Sequence, residues 1–125
     1  KMKFRVARHT NNLKRIIHFY HTILGLDILG SFEKHDDYDG VFLGLENENW
    51  HLEFTVSNNK PNHTPDKDDL IVFYSESKNH FNEIITSLKN ENINPIKSQN
   101  PYWNKTGITI LDPDNFRVVI VKPTK

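Results

Sequence analysis

The sequence contains no cysteine, which excludes disulfide bonds, thiolate metal sites and cysteine nucleophiles. It also has no net charge, because 16 basic and 16 acidic residues balance, and this argues against binding to nucleic acid or to an anionic membrane surface. No window approaches the roughly 18 apolar residues of a membrane span, and KMKFRVARHT lacks the apolar stretch of a signal peptide. We therefore expect a cytoplasmic protein whose partner is a small molecule or another protein.

Hydrophobic periodicity over residues 1–56 predicts a strand, a helix and three further strands. MKFRVAR predicts the first strand, and NNLKRIIHFYHTILGL predicts an amphipathic helix with Asn12 as N-cap and Gly25 at its end. The apolar stripe of this helix consists of Leu13, Ile16, Ile17, Tyr20 and Leu24. The remaining strands are predicted from the runs DILGSFEK, GVFLGL and WHLEFTV.

The same order returns after residues 57–69, where prolines, turn formers and the lack of apolar side chains predict a linker. LIVFY predicts a strand, SKNHFNEIITSLKNENI a helix, and NINPIK, GITIL and RVVIV three more strands. The repeat predicts an α+β fold, with one domain over residues 1–125 built from βαβββ modules at 1–56 and 70–125. Each helix should cover one sheet face, and the other face should curve around a cavity, with Val119 of the last strand facing it.

Two motifs carry a resemblance to a known family. NNLKRIIHFYHTILGLDIL resembles the Asp-Leu-x-x-x-x-x-Phe-Tyr-x-x-x-Leu-Gly-Leu signature of the vicinal oxygen chelate superfamily, with Asn12 where Asp is usual. LDPDNFRVVIV resembles its closing Asp-Pro-Asp-Gly motif, with Asn115 where Gly is usual. The chain is most similar to a small bacterial branch of glyoxalase-like proteins. The resemblance implies the glyoxalase/bleomycin resistance/dihydroxybiphenyl dioxygenase-like fold, in a superfamily that contains both metal enzymes and metal-free binding proteins.

The resemblance also implies where metal ligands would stand. The metal enzymes of the superfamily carry His or Glu on the first, fourth, fifth and eighth strands. The matching positions here are Arg5, Glu53, Leu70 (or Asp69 if the register slips by one residue) and Val119. Arginine stays protonated, and leucine and valine offer no lone pair, so at most two of four ligands remain. We therefore expect no metal and no other cofactor.

Arg5 and Glu53 should point into the same concavity, where an ion pair would replace the ion. A purely structural salt bridge is the alternative. His51 stands two residues before Glu53, so both side chains share one face of the strand. His51 is a candidate ligand-binding group or general base, and an ordinary strand histidine is the alternative.

The remaining candidate ligand-binding residues are one arginine and three aromatic residues. Arg8 ends the first strand near the expected cavity mouth, although a solvated strand end explains it equally well. Tyr102 and Trp103 are predicted in a loop, and Tyr74 lies on a strand of the second module. Such aromatic side chains suit the walls of a pocket for a flat or apolar ligand, and core packing or a loop lid is the alternative.

Two functions follow. The first is a metal-independent protein that binds a partly apolar or anionic small molecule, with sequestration of that molecule as one role. The second is a glyoxalase-like lyase or isomerase in which Glu53, with His51 as the other candidate, acts as base beside a divalent metal or beside Arg5 as electrophile. Neither nucleic acid nor membrane is an expected partner. By resemblance the protein forms a homodimer, and a monomer is the alternative.

Overall fold

The computed structural model describes residues 1–124, so Lys125, the last residue of the predicted second module, lies outside the described residues. The chain forms two compact units, one over Lys1–Asn62 and one that begins at His63. Both contain a mixed sheet and helices, which confirms the predicted α+β class. Among residues 1–124 no helix is long and apolar enough to cross a membrane.

The N-terminal unit is built on a four-stranded sheet. Its strands are β1 (Phe4–His9), β2 (Asp27–His35), β3 (Tyr38–Gly44) and β4 (Trp50–Val56), in the spatial order β1-β4-β3-β2. β1 runs parallel to β4, and the other neighbours are antiparallel. All four strands were predicted from alternation of apolar and polar residues.

The predicted helix of this unit is confirmed, but it changes geometry halfway. Helix α1 covers Leu13–Ile17, and a π-helical segment continues it over His18–Ile23. The Asn12 side chain accepts a hydrogen bond from the backbone N–H of Arg15 (3.1 Å), as expected of an N-cap. Gly25 ends the helix with φ of +85°, a conformation that glycine adopts without strain. Phe19 and Ile23 follow the stripe residues Ile16 and Tyr20 by three positions each, and they are buried in the core as well.

The helix covers one face of this sheet and leaves the other without a helix. Tyr20 is fully buried and its ring stacks on that of Phe54 at 5.1 Å. Leu52 and Phe54 of β4 are buried on this side. Since successive side chains of a strand alternate, His51 and Glu53 lie on the opposite face, where both are half-buried. That opposite face is called the polar face below.

The C-terminal unit contains a three-stranded sheet and two helices. Its elements are β5 (Leu70–Tyr74), α2 (Lys78–Asn90), α3 (Tyr102–Thr106), β6 (Gly107–Leu111) and β7 (Arg117–Val121), with the strand order β5-β7-β6. The Ser77 hydroxyl caps α2 by accepting a hydrogen bond from the N–H of His80 (3.0 Å). Ile84 and Leu88 are the buried residues of this helix, in agreement with the predicted spacing.

Three expectations for this unit are wrong. NINPIK forms no strand, and only Ile96 makes a single bridge, to Thr109, because Pro95 has no N–H to donate to a ladder. Tyr102 and Trp103 lie in helix α3 rather than in a loop, since the Asn100 side chain accepts the Tyr102 N–H (3.0 Å) and starts a helical turn. Val119 does not face an open cavity, because β7 is the central strand and the side chain is 0% exposed.

The predicted turn between β6 and β7 is present. One oxygen of the Asp112 carboxylate accepts hydrogen bonds from the N–H groups of Asp114 (2.9 Å) and Phe116 (3.0 Å). Asn115 adopts φ of +69°, a left-handed conformation that asparagine tolerates better than most residues do. Asn115 can therefore stand where the superfamily motif has glycine.

Candidate functional site

Arg5, His51 and Glu53 come together on the polar face of the N-terminal sheet. Arg5 lies opposite His51 in the parallel pairing of β1 with β4, and Glu53 follows two residues along β4. The predicted ion pair is present, with Arg5 Nη1 at 3.4 Å from Glu53 Oε1. The side chain of Arg5 is 50% exposed and that of Glu53 is 14% exposed, so the cationic partner is the one that faces solvent.

The shortest contact of this cluster joins Arg5 to His51. Arg5 Nε donates a hydrogen bond to His51 Nε2 over 2.8 Å. A guanidinium group can only donate, so Nε2 must be the unprotonated nitrogen, and the neutral ring carries its proton on Nδ1. The lone pair of His51 is therefore in use, and His51 acts as a general base only if Arg5 moves away. His51 Nδ1–H is left as a hydrogen-bond donor.

An aromatic ring supports the guanidinium group from the next strand. Phe42 on β3 pairs with Glu53 on β4, and the Arg5 Cζ atom lies 4.9 Å from the centroid of the Phe42 ring. The His51 ring meets the same Phe42 ring edge-on, with centroids 5.5 Å apart. Stacking on Phe42 holds the guanidinium plane and adds a cation–π attraction. The polar face therefore combines one cation, one carboxylate and an aromatic platform.

The platform extends to β2 because glycine stands opposite each phenylalanine. Phe32 pairs with Gly40, and a Cβ atom on Gly40 would overlap the Phe32 ring. Phe42 pairs with Gly30 in the same way, at a distance that a Cβ atom would tolerate. Glycine therefore lets the Phe32 ring lie across β3. Phe32 was not predicted as a site residue, and the signal that points to it is glycine opposite an aromatic residue in neighbouring strands.

The surroundings of His51 favour its neutral form. Burial is the main cause that lowers the pKa of His51 below its ordinary value of 6.5, and the positive charges of Arg5 and Lys3 lower it further. The negative charge of Glu53 acts in the opposite direction. The direction of the shift agrees with the hydrogen bond to Arg5, because a protonated Nε2 would face the guanidinium group as a second donor.

This shift makes a prediction for stability against pH. The unfolded chain holds His51 at its ordinary pKa near 6.5, so below that pH the unfolded state binds a proton that the folded state resists. The stability that comes from keeping His51 neutral should be fully present above pH 6.5 and should be lost as the pH falls towards the lowered pKa of the folded state. Urea unfolding at pH 7.5 and pH 5.5 should therefore show that the free energy of unfolding falls less between these two pH values in His51→Gln than in the wild type.

The matched control is His35→Gln, because the His35 side chain is 79% exposed. This variant should keep the acid-dependent loss of the wild type. An equal loss in His51→Gln and the wild type would contradict the assignment of a lowered pKa to His51.

Other predicted site residues lie away from this cluster. Arg8 is on the helix-covered face of β1, with its guanidinium group 5.5 Å from the Phe54 ring centroid. Arg8 follows Arg5 by three residues, and two side chains at an odd spacing in a strand point to opposite faces. Arg8 was predicted near the cavity mouth as a ligand-binding residue, and the structure instead places it on the face opposite Arg5, His51 and Glu53. Tyr74, Tyr102 and Trp103 belong to the C-terminal unit, where the Tyr102 and Trp103 rings meet edge-to-face at 4.9 Å.

The C-terminal unit has a wide groove of its own, of about 840 Å³, between the start of α2 and the strand end at Lys122. It is lined by Ser75, Glu76, Ser77, Lys78, Phe81 and neighbouring residues. None of the predicted site residues lines this groove. Its Ser75 hydroxyl is already used in a hydrogen bond to the Val121 carbonyl (2.6 Å), and the groove brings no comparable cluster of interacting charged groups together. The polar face is therefore the better candidate site.

The residues present do not fit the divalent metal site of the superfamily. Such a site needs several oxygen or nitrogen donors around one point. Over residues 1–124, no three His, Asp or Glu side chains are grouped so that they could hold a metal ion. In the N-terminal unit His51 and Glu53 are both bonded by Arg5, whose charge repels a cation. In the C-terminal unit, Leu70 and Val119 offer no donor.

Comparison with known proteins gives close relatives and more distant structures of the same fold. Sequence models of the YycE-like N-terminal and C-terminal domains match residues 4–55 and 68–122. The YycE protein of Bacillus subtilis (strain 168) is 39% identical over 120 residues, which are 95% of this chain and 86% of that protein. A crystal structure of a Bacillus subtilis YycE protein, of unknown function and grouped with glyoxalase and fosfomycin resistance proteins, gives a TM-score of 0.88 at 38% identity, over 98% of this chain and 90% of that chain.

Two further solved structures share the fold at low identity. Glyoxalase I of Leishmania major, a trypanothione-dependent enzyme, gives a TM-score of 0.75 at 19% identity, over 98% of this chain and 86% of that chain. The fosfomycin resistance protein FosX of Mesorhizobium loti gives a TM-score of 0.69 at 10% identity, over 96% of this chain and 90% of that chain. These two likenesses show the fold alone.

Proposed function

Because the chain belongs to the YycE-like family of the vicinal oxygen chelate superfamily, we propose that it binds a small, partly apolar molecule with an anionic head group, without a metal. The structural relatives whose names give a substrate or a resistance act on small molecules, which favours a ligand of this size. The head group is held on the polar face by Arg5, with His51 Nδ1–H as a second donor. The Phe42 and Phe32 rings provide the adjoining apolar surface.

One observation carries this proposal: the guanidinium group of Arg5 is half-exposed on the polar face, at the position that the resemblance assigns to the first metal ligand of the superfamily's metal enzymes. It is held by Phe42, His51 and Glu53, and its remaining N–H groups make no hydrogen bond within residues 1–124. A planar group with several parallel donors matches a carboxylate or a similar oxyanion. Arg5 Nη1 and Glu53 Oε1 are 3.4 Å apart, a long distance for an ion pair, so an anionic ligand can compete with Glu53 for the same N–H donors.

Exchange of Arg5 tests the proposal directly. We expect Arg5→Gln to weaken the binding of propanoate, the simplest carboxylate probe with an apolar end, by about 10- to 100-fold, because a hydrogen bond to a charged group contributes about 1.5–3 kcal/mol. Binding would be followed by chemical-shift changes of the His51 and Glu53 amides during titration of the full chain.

The matched control is Arg8→Gln, which removes the same charge from the same strand but on the opposite face. Its propanoate affinity should equal that of the wild type, and circular dichroism should show that both variants keep the fold. Equal affinity in the wild type and in Arg5→Gln would refute Arg5 as the head-group residue.

A titration with metal ions tests the metal-independent part of the proposal. A ligand that binds only the folded state raises the melting temperature in proportion to the logarithm of its concentration. We expect no rise when metal-stripped protein is titrated with Ni(II), Zn(II), Mn(II) or Co(II). A saturable rise that is lost in Glu53→Ala would contradict the proposal and favour a metal-dependent lyase or isomerase with Glu53 at the reaction centre.

A further inference from the structure

Four aromatic side chains form a continuous row of rings on the N-terminal sheet. The rings belong, in order, to His51, Phe42, Phe32 and His35, and the centroids of neighbouring rings are 5.5, 5.7 and 6.0 Å apart. These four residues are called the ring row below. The row begins at the charged cluster, because the Arg5 guanidinium group lies over the Phe42 ring. A ligand with its head group on Arg5 therefore has aromatic rings directly beside it.

The Phe32 ring leans across β3 and leaves part of its surface open. A Cβ atom on Gly40 would overlap this ring, so the ring occupies the space that a side chain at position 40 would take. Because Gly40 has no side chain, nothing at that position stands above the ring and hides it. Phe32 and Phe42 are both half-buried, so each ring keeps surface that a ligand can cover.

A bulge in β2 brings Phe32 into the ring row. The pairing of β2 with β3 shifts by one residue at Leu29, whose side chain turns towards Gly44. Without this shift, Ser31 and not Phe32 would pair with Gly40. A one-residue slip moves every following side chain of a strand to the other face. The bulge therefore decides that an aromatic ring, rather than a small hydroxyl side chain, stands at this place.

The surface in the other direction, beyond His51, is polar. A pocket of about 370 Å³ at that end of the sheet is lined mainly by polar groups, among them Lys3, Glu46 and Glu48. An apolar group placed there would displace water from these charged side chains without replacing the hydrogen bonds that water makes. The apolar part of a ligand held by Arg5 is therefore better accommodated on the ring row.

We propose that the ring row stacks against the ring system of an aromatic carboxylate whose head group is held by Arg5. This inference rests on the proposed function for the position of the head group, and it adds the ligand class: a flat acid of one or two fused rings. The first ring contacts Phe42 beside the guanidinium group, and a second ring reaches Phe32.

The row favours a flat ring over a saturated ring of similar size. Aromatic pairs in stacked or edge-to-face arrangements attract each other beyond what the burial of their area provides. Burial of area alone would predict the opposite preference, because a saturated ring has the larger apolar surface. Comparison of a flat acid with its saturated counterpart therefore separates contact with the ring row from general hydrophobic binding.

A set of matched acids tests the inference. The full chain would be titrated at pH 7.5 with propanoate, cyclohexanecarboxylate, benzoate and 2-naphthoate, and the shifts of the His51 and Glu53 amides would be followed. Benzoate should bind about two- to tenfold more tightly than cyclohexanecarboxylate. 2-Naphthoate should bind at least about twofold more tightly than benzoate, and its ring protons should show nuclear Overhauser contacts to the Phe32 ring.

Two leucine variants separate the ring row from the head-group site. Phe32→Leu keeps an apolar side chain beside Gly40 but removes the ring, so it should abolish the gain of 2-naphthoate over benzoate and leave propanoate affinity unchanged. Phe4→Leu makes the same exchange at a 62% exposed position on the helix-covered face, and it should keep the gain. Circular dichroism would show that both variants keep the fold.

The outcomes distinguish the two proposals. Binding that depends on Arg5 but is equally tight for benzoate and cyclohexanecarboxylate overturns the ring row as a binding surface and leaves the head-group site standing. A gain of 2-naphthoate that persists in Phe32→Leu, or a bound 2-naphthoate without contacts to Phe32, also overturns it. Absence of binding by every acid, propanoate included, overturns both the ring row and the proposed function.

Discussion

Replacement of Gly107 by alanine is expected to lower the free energy of unfolding of the C-terminal unit by about 3 kcal/mol or more. Gly107 is the first residue of β6, and a Cβ atom there would overlap the carbonyl oxygen of Ile120 on β7. The Val121 Cα would be 2.9 Å away, as would the carbonyl carbon of Ile120. Both are backbone atoms of the central strand, so no side-chain rotation can relieve the overlap. The pairing of β6 with β7 would have to shift.

The reason is purely steric, because Gly107 has φ of −175°, an extended conformation that alanine also adopts. Gly30→Ala is therefore the matched control. It is also an extended strand glycine, and its nearest neighbour would be Phe42 Cδ2 at 3.5 Å, an ordinary contact. Urea unfolding followed by Trp103 fluorescence would measure the effect, in a variant with Trp50 replaced by Phe. A cost below about 1 kcal/mol for Gly107→Ala would show that the two strands separate more easily than the structure indicates.

Truncation of Phe54 to alanine should lower the free energy of unfolding of the N-terminal unit by about 3–5 kcal/mol. Phe54 is 1% exposed, it stacks on Tyr20 at 5.1 Å, and the Arg8 guanidinium group lies over its ring. Alanine would leave a cavity between the sheet and the first helix, and Tyr20 is fully buried, so it has little freedom to fill the space.

Phe4→Ala is the control for this variant, since it removes the same side chain from an edge strand where Phe4 is 62% exposed. Its cost should stay within about 0.5 kcal/mol. Trp50 belongs to the N-terminal unit, and its fluorescence would report the transition in a variant with Trp103 replaced by Phe. If the two phenylalanine variants lost similar stability, the placement of Phe54 in the core of the unit would be wrong.

The local features of the fold were predictable because short-range physics determines them. Asn12 and Gly25 bracket the first helix in sequence and in structure, and the strand LIVFY coincides with β5 at both ends. Alternation within β4 correctly placed His51 and Glu53 on one face. Each of these inferences needs only residues that are close together in the chain.

The failures have long-range or geometric causes. Arg8 was predicted near a cavity mouth from its place at the end of the first strand, but its odd spacing from Arg5 puts its side chain on the opposite face. NINPIK has strand-like composition, but its proline leaves Ile96 as the only residue that bridges to β6. The predicted stripe of the first helix omitted Phe19 and Ile23, although each lies three residues after a stripe residue and therefore on the same helix face.

The candidate site was predictable only in part, from the alternation of side chains along β4 and from the resemblance to the superfamily. Arg5 and Glu53 were found because the superfamily places functional residues at those positions. The register that sets Phe42 opposite Glu53 depends on the length of the β3–β4 connection, so the sequence alone does not place Phe42 at the site. The direction of the Leu29 side chain depends on a bulge in the pairing of β2 with β3, and a one-residue shift in pairing cannot be inferred from alternation alone.

The parallel pairing of β1 with β4 sets the moment at which the site can exist during synthesis. His51 follows Arg5 by 46 residues and Glu53 follows it by 48. At usual rates of translation this separates the two halves of the cluster by roughly 2 to 10 s. Within residues 1–124, β4 is the strand that pairs with β1, so a nascent chain that has not yet emerged past β4 carries Arg5 on an unpaired segment. The cluster of Arg5, His51 and Glu53 can therefore form only after β4 has been synthesised and has paired with β1.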